Sequence, residues 1–206
     1  MNRALIASTA AVAALALLGG TYYATMRTGD ALAECRTSSV AGGAIGGPFE
    51  LVNADGQTVT DKDVITAPTL VYFGYTFCPD VCPFDAARNG EAVTMLEERG
   101  HTINSVFISV DPERDTPETV SDYASYMHPR MVGLTGSPEQ VKVASKAYKT
   151  YYKKQLPEDG DNEYYLVDHS TFTYLMFPET GFAEFYRREA TSEQIADSVE
   201  CFIENM

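Results

Sequence analysis

After a long apolar opening stretch, the chain alternates short apolar runs with longer amphipathic ones. Phe49–Val52 and Gln57–Thr60 flank Asp55-Gly56, the pattern of a hairpin with a tight turn. Thr69–Phe73 is apolar, β-branched or aromatic throughout, which predicts a buried strand. From Pro83 to Arg99, Ala86, Ala92, Val93 and Leu96 mark the inward face of a helix, and Gly100 is its stop signal. Asn104–Val110 is the next strand. Thr116-Pro117-Glu118 caps a helix to about Met127, closed by His128-Pro129. Met131–Leu134 is a short strand, and Ser137-Pro138-Glu139-Gln140 caps a helix to about Tyr152. Lys153–Glu163 reads as a polar loop. Tyr164–Val167 and Thr171–Phe177 read as the strands of a hairpin broken by Asp168-His169-Ser170. Ala183–Tyr186 follows the turn Pro178–Gly181 as a strand. Thr191-Ser192-Glu193 opens a last helix with Ile195, Val199, Phe202 and Ile203 on one face.

Strands alternate with helices through most of the chain, then a hairpin and a helix close it. That order predicts an α/β fold with a mainly parallel central sheet flanked by helices. Two cysteines, Cys78 and Cys82, follow Thr69–Phe73 after a glycine, and each has a proline after it. A proline costs nothing in the first turn of a helix, where its missing N–H has no partner to lose. The pair therefore marks a strand-to-helix junction, the place where a thioredoxin-like fold carries its redox cysteines. The helix dipole there favours a thiolate.

Ala4 to Met26 is a run of 23 uncharged residues between Arg3 and Arg27. About 20 suffice to cross a bilayer's hydrocarbon core. Residues 1–27 are therefore expected to be a membrane anchor, with a cleaved signal peptide as the alternative. Residues 28–46, rich in small side chains, read as a linker, and 47–206 as the folded domain. Formal net charge is −14, and every acidic residue lies beyond position 27. Such a surface repels nucleic-acid phosphates and anionic lipid.

Four positions apart on a helix, Cys78 and Cys82 would have Cβ atoms about 5–6 Å apart. A disulfide wants about 3.8 Å. Closing one needs Cys78 outside regular helix, whereas a metal at about 2.3 Å from each sulfur is accommodated with less distortion. Dithiol chemistry and soft-metal binding both remain open. His169 is the candidate third ligand, because two thiolates and an imidazole suit Cu(I). Asp168 is placed to fix its tautomer. Asp80, between the cysteines, is satisfied by the helix dipole and is a candidate to tune the thiols. Asp111–Pro117 lies where a parallel strand ends, a usual place for ligand sites, and Asp115-Thr116 reads as a helix cap. Cys35 and Cys201 are left as a pair suited to a bridge, with free or intermolecular thiols as the alternative. His101 and His128 read as surface residues at helix ends. Tyr148, Tyr151 and Tyr152 read as lining one helix end.

Gly74-Tyr75-Thr76-Phe77-Cys78-Pro79-Asp80-Val81-Cys82-Pro83, Asp111-Pro112-Glu113-Arg114-Asp115-Thr116-Pro117 and Asp168-His169-Ser170, in this order, resemble the signature of the SCO/SenC family. The resemblance runs from about Gly46 to Phe202. It implies a thioredoxin-like fold behind an N-terminal transmembrane helix, single-pass in a bacterial inner membrane, with the soluble domain facing the periplasm. It further implies a copper protein that helps metallate the dinuclear copper centre of cytochrome c oxidase subunit II. The ligands would then be Cys78, Cys82 and His169, with Asp80 as the acid between the cysteines. It is silent on Cys35 and Cys201.

The expected function is therefore a membrane-tethered copper metallochaperone rather than an enzyme. It would bind Cu(I), with Cu(II) as a second valence, and meet other periplasmic copper carriers or thiol reductants. Three rivals stand beside it: a thiol–disulfide oxidoreductase acting on the cysteines of subunit II, a peroxiredoxin-like peroxidase, and a redox-sensing module.

Overall fold

A computed structural model describes residues 19–20, 32–36, 45–157 and 164–206. Most of the anchor expected at 1–27 and most of the linker at 28–46 lie outside the described residues. Among the described residues no helix is long and apolar enough to cross a membrane.

The domain opens with the expected hairpin, β1 (Glu50–Val52) and β2 (Thr58–Thr60), closed through Gly56 at φ +72°. A one-turn helix, α1 (Asp61–Val64), follows it. The main sheet has five strands in the order β5-β4-β3-β8-β9. They are β3 (Thr69–Gly74), β4 (Asn104–Ser109), β5 (Met131–Leu134), β8 (Thr173–Phe177) and β9 (Gly181–Tyr186). The helices are α2 (Val81–Glu98), α3 (Pro117–Met127), α4 (Pro138–Ala147) and α5 (Ser192–Asn205). Strands β6 (Tyr152–Gln155) and β7 (Leu166–His169) form a separate antiparallel ribbon.

The sheet is mixed, which corrects the expectation of a mainly parallel one. β3 runs parallel to β4, and β4 to β5, but β8 is antiparallel to β3 and β9 to β8. The reason is connectivity. α2 and α3 are crossovers that return the chain for parallel pairing, whereas the short turn after β8 can join only antiparallel neighbours. Three helices start as their sequences demand. Thr116, Ser137 and Thr191 accept from the backbone N–H groups of Thr119, Gln140 and Gln194, with capping boxes at the last two. α2 stops before Gly100, at φ +89°.

Two differences bear on function. α4 ends at Ala147 rather than near Tyr152, so Tyr148 caps it and Tyr152 opens β6. Part of the expected polar loop is thus strand. Nor does His169 interrupt a hairpin: β7 pairs with β6, whereas β8 pairs with β3.

Every residue of β3 is buried. Leu70 packs with Ala92, Val93 and Leu96 of α2 and with Ile195, Val199 and Phe202 of α5. Val71 and Phe73 join Val106, Ile108, Leu134, Val141 and Tyr148 in a second cluster. Cys35 is buried beside α5 and forms a disulfide with Cys201, and its carbonyl accepts from Ser198 Oγ at 2.8 Å. The expected staple is present. A cross-link spanning 166 positions removes much freedom from the unfolded chain. Replacing both cysteines with alanine is expected to cost about 2–5 kcal/mol, read as a lower midpoint in thermal melts of the oxidised proteins.

Candidate metal centre

β3 ends at Gly74, and the turn that follows carries Cys78, whose N–H donates to the Tyr75 carbonyl at 3.3 Å. Asp80 is the N-cap of α2, so Cys82 is its second helical residue and Cys78 lies outside the helix. Pro83 occupies the third position, where no donor is needed. Cys78 is 7% exposed, Cys82 is fully buried, and neither is in a disulfide. The close packing here requires glycine at position 74. A Cβ on it would sit 3.0 Å from Cys82 Sγ and 2.9 Å from the Tyr72 ring.

His169 ends β7 and reaches the sulfurs from the other side. Its Nε2 is 3.2 Å from Cys82 Sγ. Its Nδ1 is 2.9 Å from the Ser170 carbonyl, which has only acceptor capacity. Nδ1 therefore holds the proton, and Nε2 presents a lone pair to the sulfurs. Ser170 is itself fixed, since its N–H donates to the Tyr151 carbonyl at 2.9 Å and its hydroxyl accepts from Tyr151 N–H at 3.1 Å. The tautomer-fixing role expected of Asp168 thus belongs to the Ser170 backbone. Asp168 is exposed and accepts from Gln155 instead.

The two sulfurs and one imidazole nitrogen all lie within 4.8 Å of one another. A metal bound to two thiolates at about 2.3 Å spans at most about 4.6 Å. Shifts of a few tenths of an ångström would bring this trio around one ion. Two thiolates and an imidazole form a soft set that suits Cu(I).

The two thiols differ sharply in acidity. Cys78 is drawn down to about 3, first by its hydrogen bond with Cys82 and further by the backbone N–H groups of Cys82 and Asp80 at the helix mouth. Cys82 is pushed far up by burial and by the Cys78 thiolate beside it. The pair therefore holds one proton, on Cys82. Around it stand Tyr72, Tyr75 and Tyr123, all raised mainly by burial, Tyr75 to about 12. Tyr72 donates to Asp85 Oδ2 at 3.1 Å and meets His169 edge-on at 6.2 Å between ring centres. Tyr75 meets it edge-on at 5.8 Å.

Sequence reasoning missed this aromatic collar: Tyr72, in an apolar strand, looks like core, and only the fold brings Tyr75 and Tyr123 beside it. It also missed the task of Asp115. Thr116 is the cap of α3, while Asp115 is buried and accepts from Thr76 N–H at 3.0 Å, Thr76 Oγ1 at 2.5 Å and Ser109 Oγ at 2.5 Å. It ties down the loop that bears Cys78. Its neighbour in the motif, Asp111, has no atom among the metal-binding trio. The other two histidines stay apart from the trio. His101 is half-buried against Glu200 at 3.2 Å. His128 ends α3 as expected, but it is buried rather than on the surface, with Gly90 packed against it.

A family model for SCO1/SenC matches residues 38–204. The chain belongs to the SCO1/SenC family. It is 50% identical over 202 residues to the protein SenC of Rhodobacter capsulatus, covering 98% of this chain and 90% of SenC. The crystal structure of Arabidopsis thaliana ScoI with copper bound superposes with a TM-score of 0.72 at 44% identity, over 78% of this chain and 99% of that one. BsSco, a Sco-family cytochrome c oxidase assembly protein with a disulfide switch, superposes at 0.59 and 28% identity, over 75% of this chain and 91% of that one. The thioredoxin-like reading of the SCO1/SenC domain holds, with a mixed rather than a mainly parallel sheet.

The acidity difference can be measured. In reduced, metal-free protein, ultraviolet thiolate absorbance is expected to show one thiolate persisting as pH falls to about 4, because Cys78 deprotonates near 3. Cys78→Ser is expected to remove that low-pH signal, and Cys82→Ser to keep a thiolate.

Proposed function

We propose that this chain carries copper between partners, holding it on Cys78, Cys82 and His169. One observation carries the reading: ligand atoms from a turn, a helix and a separate ribbon converge within 4.8 Å. A dithiol reductase needs no imidazole at that point. Copper bound to similar chains supports the choice of metal. Membership of BsSco in a family of cytochrome c oxidase assembly proteins supports the destination, the dinuclear copper centre of oxidase subunit II. Cu(I) is the valence that two thiolates favour. Residues 1–27 would tether a domain of residues 47–206 to the bacterial inner membrane through the linker 28–46, facing the periplasm. The 23-residue uncharged run between Arg3 and Arg27 supports that placement.

Each residue has a separate task. Cys78 meets the metal as a thiolate already formed. Cys82 gives up its proton as the metal arrives, so uptake near neutral pH releases one proton. His169 adds Nε2 as the third donor atom. Exit reverses these steps, with incoming partner ligands replacing the three donors one at a time. Oxidation of the two thiols to a disulfide removes both thiolates and blocks binding.

A second reading has an observation of its own. A low-pKa thiol outside the helix beside a protonated thiol inside it is the arrangement of a nucleophile and its resolving partner in disulfide exchange. Chelator competition on the reduced chain separates the two. One Cu(I) per chain is expected, abolished by Cys78→Ser or Cys82→Ser. His169→Ala should weaken it by more than the roughly 10–100-fold that a lost supporting residue costs. Copper affinity indifferent to His169→Ala, together with rapid turnover of a disulfide substrate, would establish the reductase instead.

A further inference from the structure

His169 is the one donor of the trio that the main sheet and its helices do not carry. It ends β7, whose strand partner is β6 over four residue pairs. A lone two-stranded ribbon is marginal in water. Contacts outside the ribbon must therefore set where the imidazole sits. They converge on the loop between β4 and α3.

We propose that Asp111, Arg114 and Tyr165 form a latch that positions His169 over the two sulfurs and so sets the affinity for copper. The proposal rests on the reading of Cys78, Cys82 and His169 as the metal site. The three are positioning residues, and none of them supplies a donor atom.

Tyr165 immediately precedes β7, and its hydroxyl donates to Asp111 Oδ1 at 2.6 Å. Arg114 Nε donates to Asp111 Oδ2 at 2.6 Å, and the guanidinium lies over the Tyr165 ring with Cζ 3.6 Å from its centre. Asp111 is fully buried, and both its oxygens are engaged. Buried polar groups hold their partners tightly, because a lost partner leaves the remaining group unpaired and out of water. β6 is fastened to the same loop. Lys154 pairs with Glu113 and lies 4.7 Å above the Tyr165 ring.

Strand periodicity carries the effect to the metal. Side chains two apart share a face. Tyr165, Val167 and His169 are buried or half-buried, while Leu166 and Asp168 are exposed. At about 3.3 Å per residue, Tyr165 stands ~13 Å from His169, too far to touch the metal. Between them Val167 N–H donates to the Tyr75 hydroxyl at 3.3 Å, and the Tyr75 ring packs edge-on against His169. Fixing Tyr165 on Asp111 thus fixes the ribbon's register against the core.

The same loop also holds the sulfur side. Asp115 receives the N–H and hydroxyl of Thr76, two residues before Cys78. Arg114 stands near both Tyr165 and Phe77, the neighbour of Cys78, with Cζ 4.8 Å from the Phe77 ring centre. One short segment is therefore the common frame for a dithiol and an imidazole that arrive on different elements.

The test is a double-mutant cycle on the full chain. Tyr165→Phe removes one hydroxyl and keeps the stacked ring. It is expected to weaken Cu(I) roughly 10-fold, in the range of lost supporting contacts, and to alter the histidine nitrogen coupling in the electron paramagnetic resonance spectrum of the Cu(II) form. In a His169→Ala background the same change is expected to do nothing further, since no imidazole remains to be positioned. Asp111→Asn is the second variant and should behave alike. Wild-type affinity in Tyr165→Phe, or an equal loss with and without His169, would overturn the latch. Indifference of the wild-type chain to His169→Ala would instead bring down the metal-site reading, and the latch with it.

Discussion

Antiparallel pairing of β8 with β3 is the constraint on which the site depends. β3 delivers the cysteines at its C-terminal end. β8 pairs Thr173 with Tyr72 and Met176 with Thr69, so its first residue lies at that same end. The chain just before β8 must therefore pass the mouth of α2, and His169 sits four positions before Thr173. A parallel strand in that slot would begin at the far end of the sheet and take the imidazole with it. The mixed sheet is thus what lets a late ribbon meet an early dithiol.

Local electrostatics then decide the state of the sulfurs. The hydrogen bond with Cys82 and the backbone N–H groups at the start of α2 stabilise charge on Cys78, while burial denies it to Cys82. The pair keeps one negative charge and one proton. Cu(I) can take the place of that proton without changing the net charge of the pair, in a site almost closed to water. The same asymmetry suits attack on a disulfide. The dithiol alone thus leaves both chemistries available, and the imidazole favours the metal.

Much of this was legible in the sequence, and the exceptions have physical causes. The capping patterns located α3, α4 and α5, and the glycine and two prolines located the junction. β6 was not legible. Its residues Tyr152-Lys153-Lys154-Gln155 alternate half-buried and exposed, but the inward ones are a tyrosine and a lysine rather than aliphatic side chains. Strand direction was not legible either, since apolar runs report burial and not the polarity of the neighbour. Asp115 read as a cap because Asp before Thr-Pro usually is one; only the fold brings Thr76 to it, across 39 positions. Asp168 read as the partner of His169 because a carboxylate beside a histidine is a common support. In a strand, adjacent side chains point to opposite faces, so Asp168 turns to solvent as His169 turns inward.

That alternation also bears on how the proposed carrier would let go of its metal. The sulfurs are set in the core, against Gly74, Tyr72 and Tyr75. The imidazole rides on a ribbon paired over four residues and fastened by a few polar contacts. Elements with little buried apolar surface open locally at lower cost than core strands. On the proposed reading, a partner that lifted the ribbon would remove one donor while the other two stayed in register, leaving copper on two sulfurs with a vacant side. Three fixed donors would hold the ion more tightly and transfer it more slowly. The division between a fixed dithiol and a latched imidazole is therefore the feature of this fold best matched to the proposed role of handing copper on.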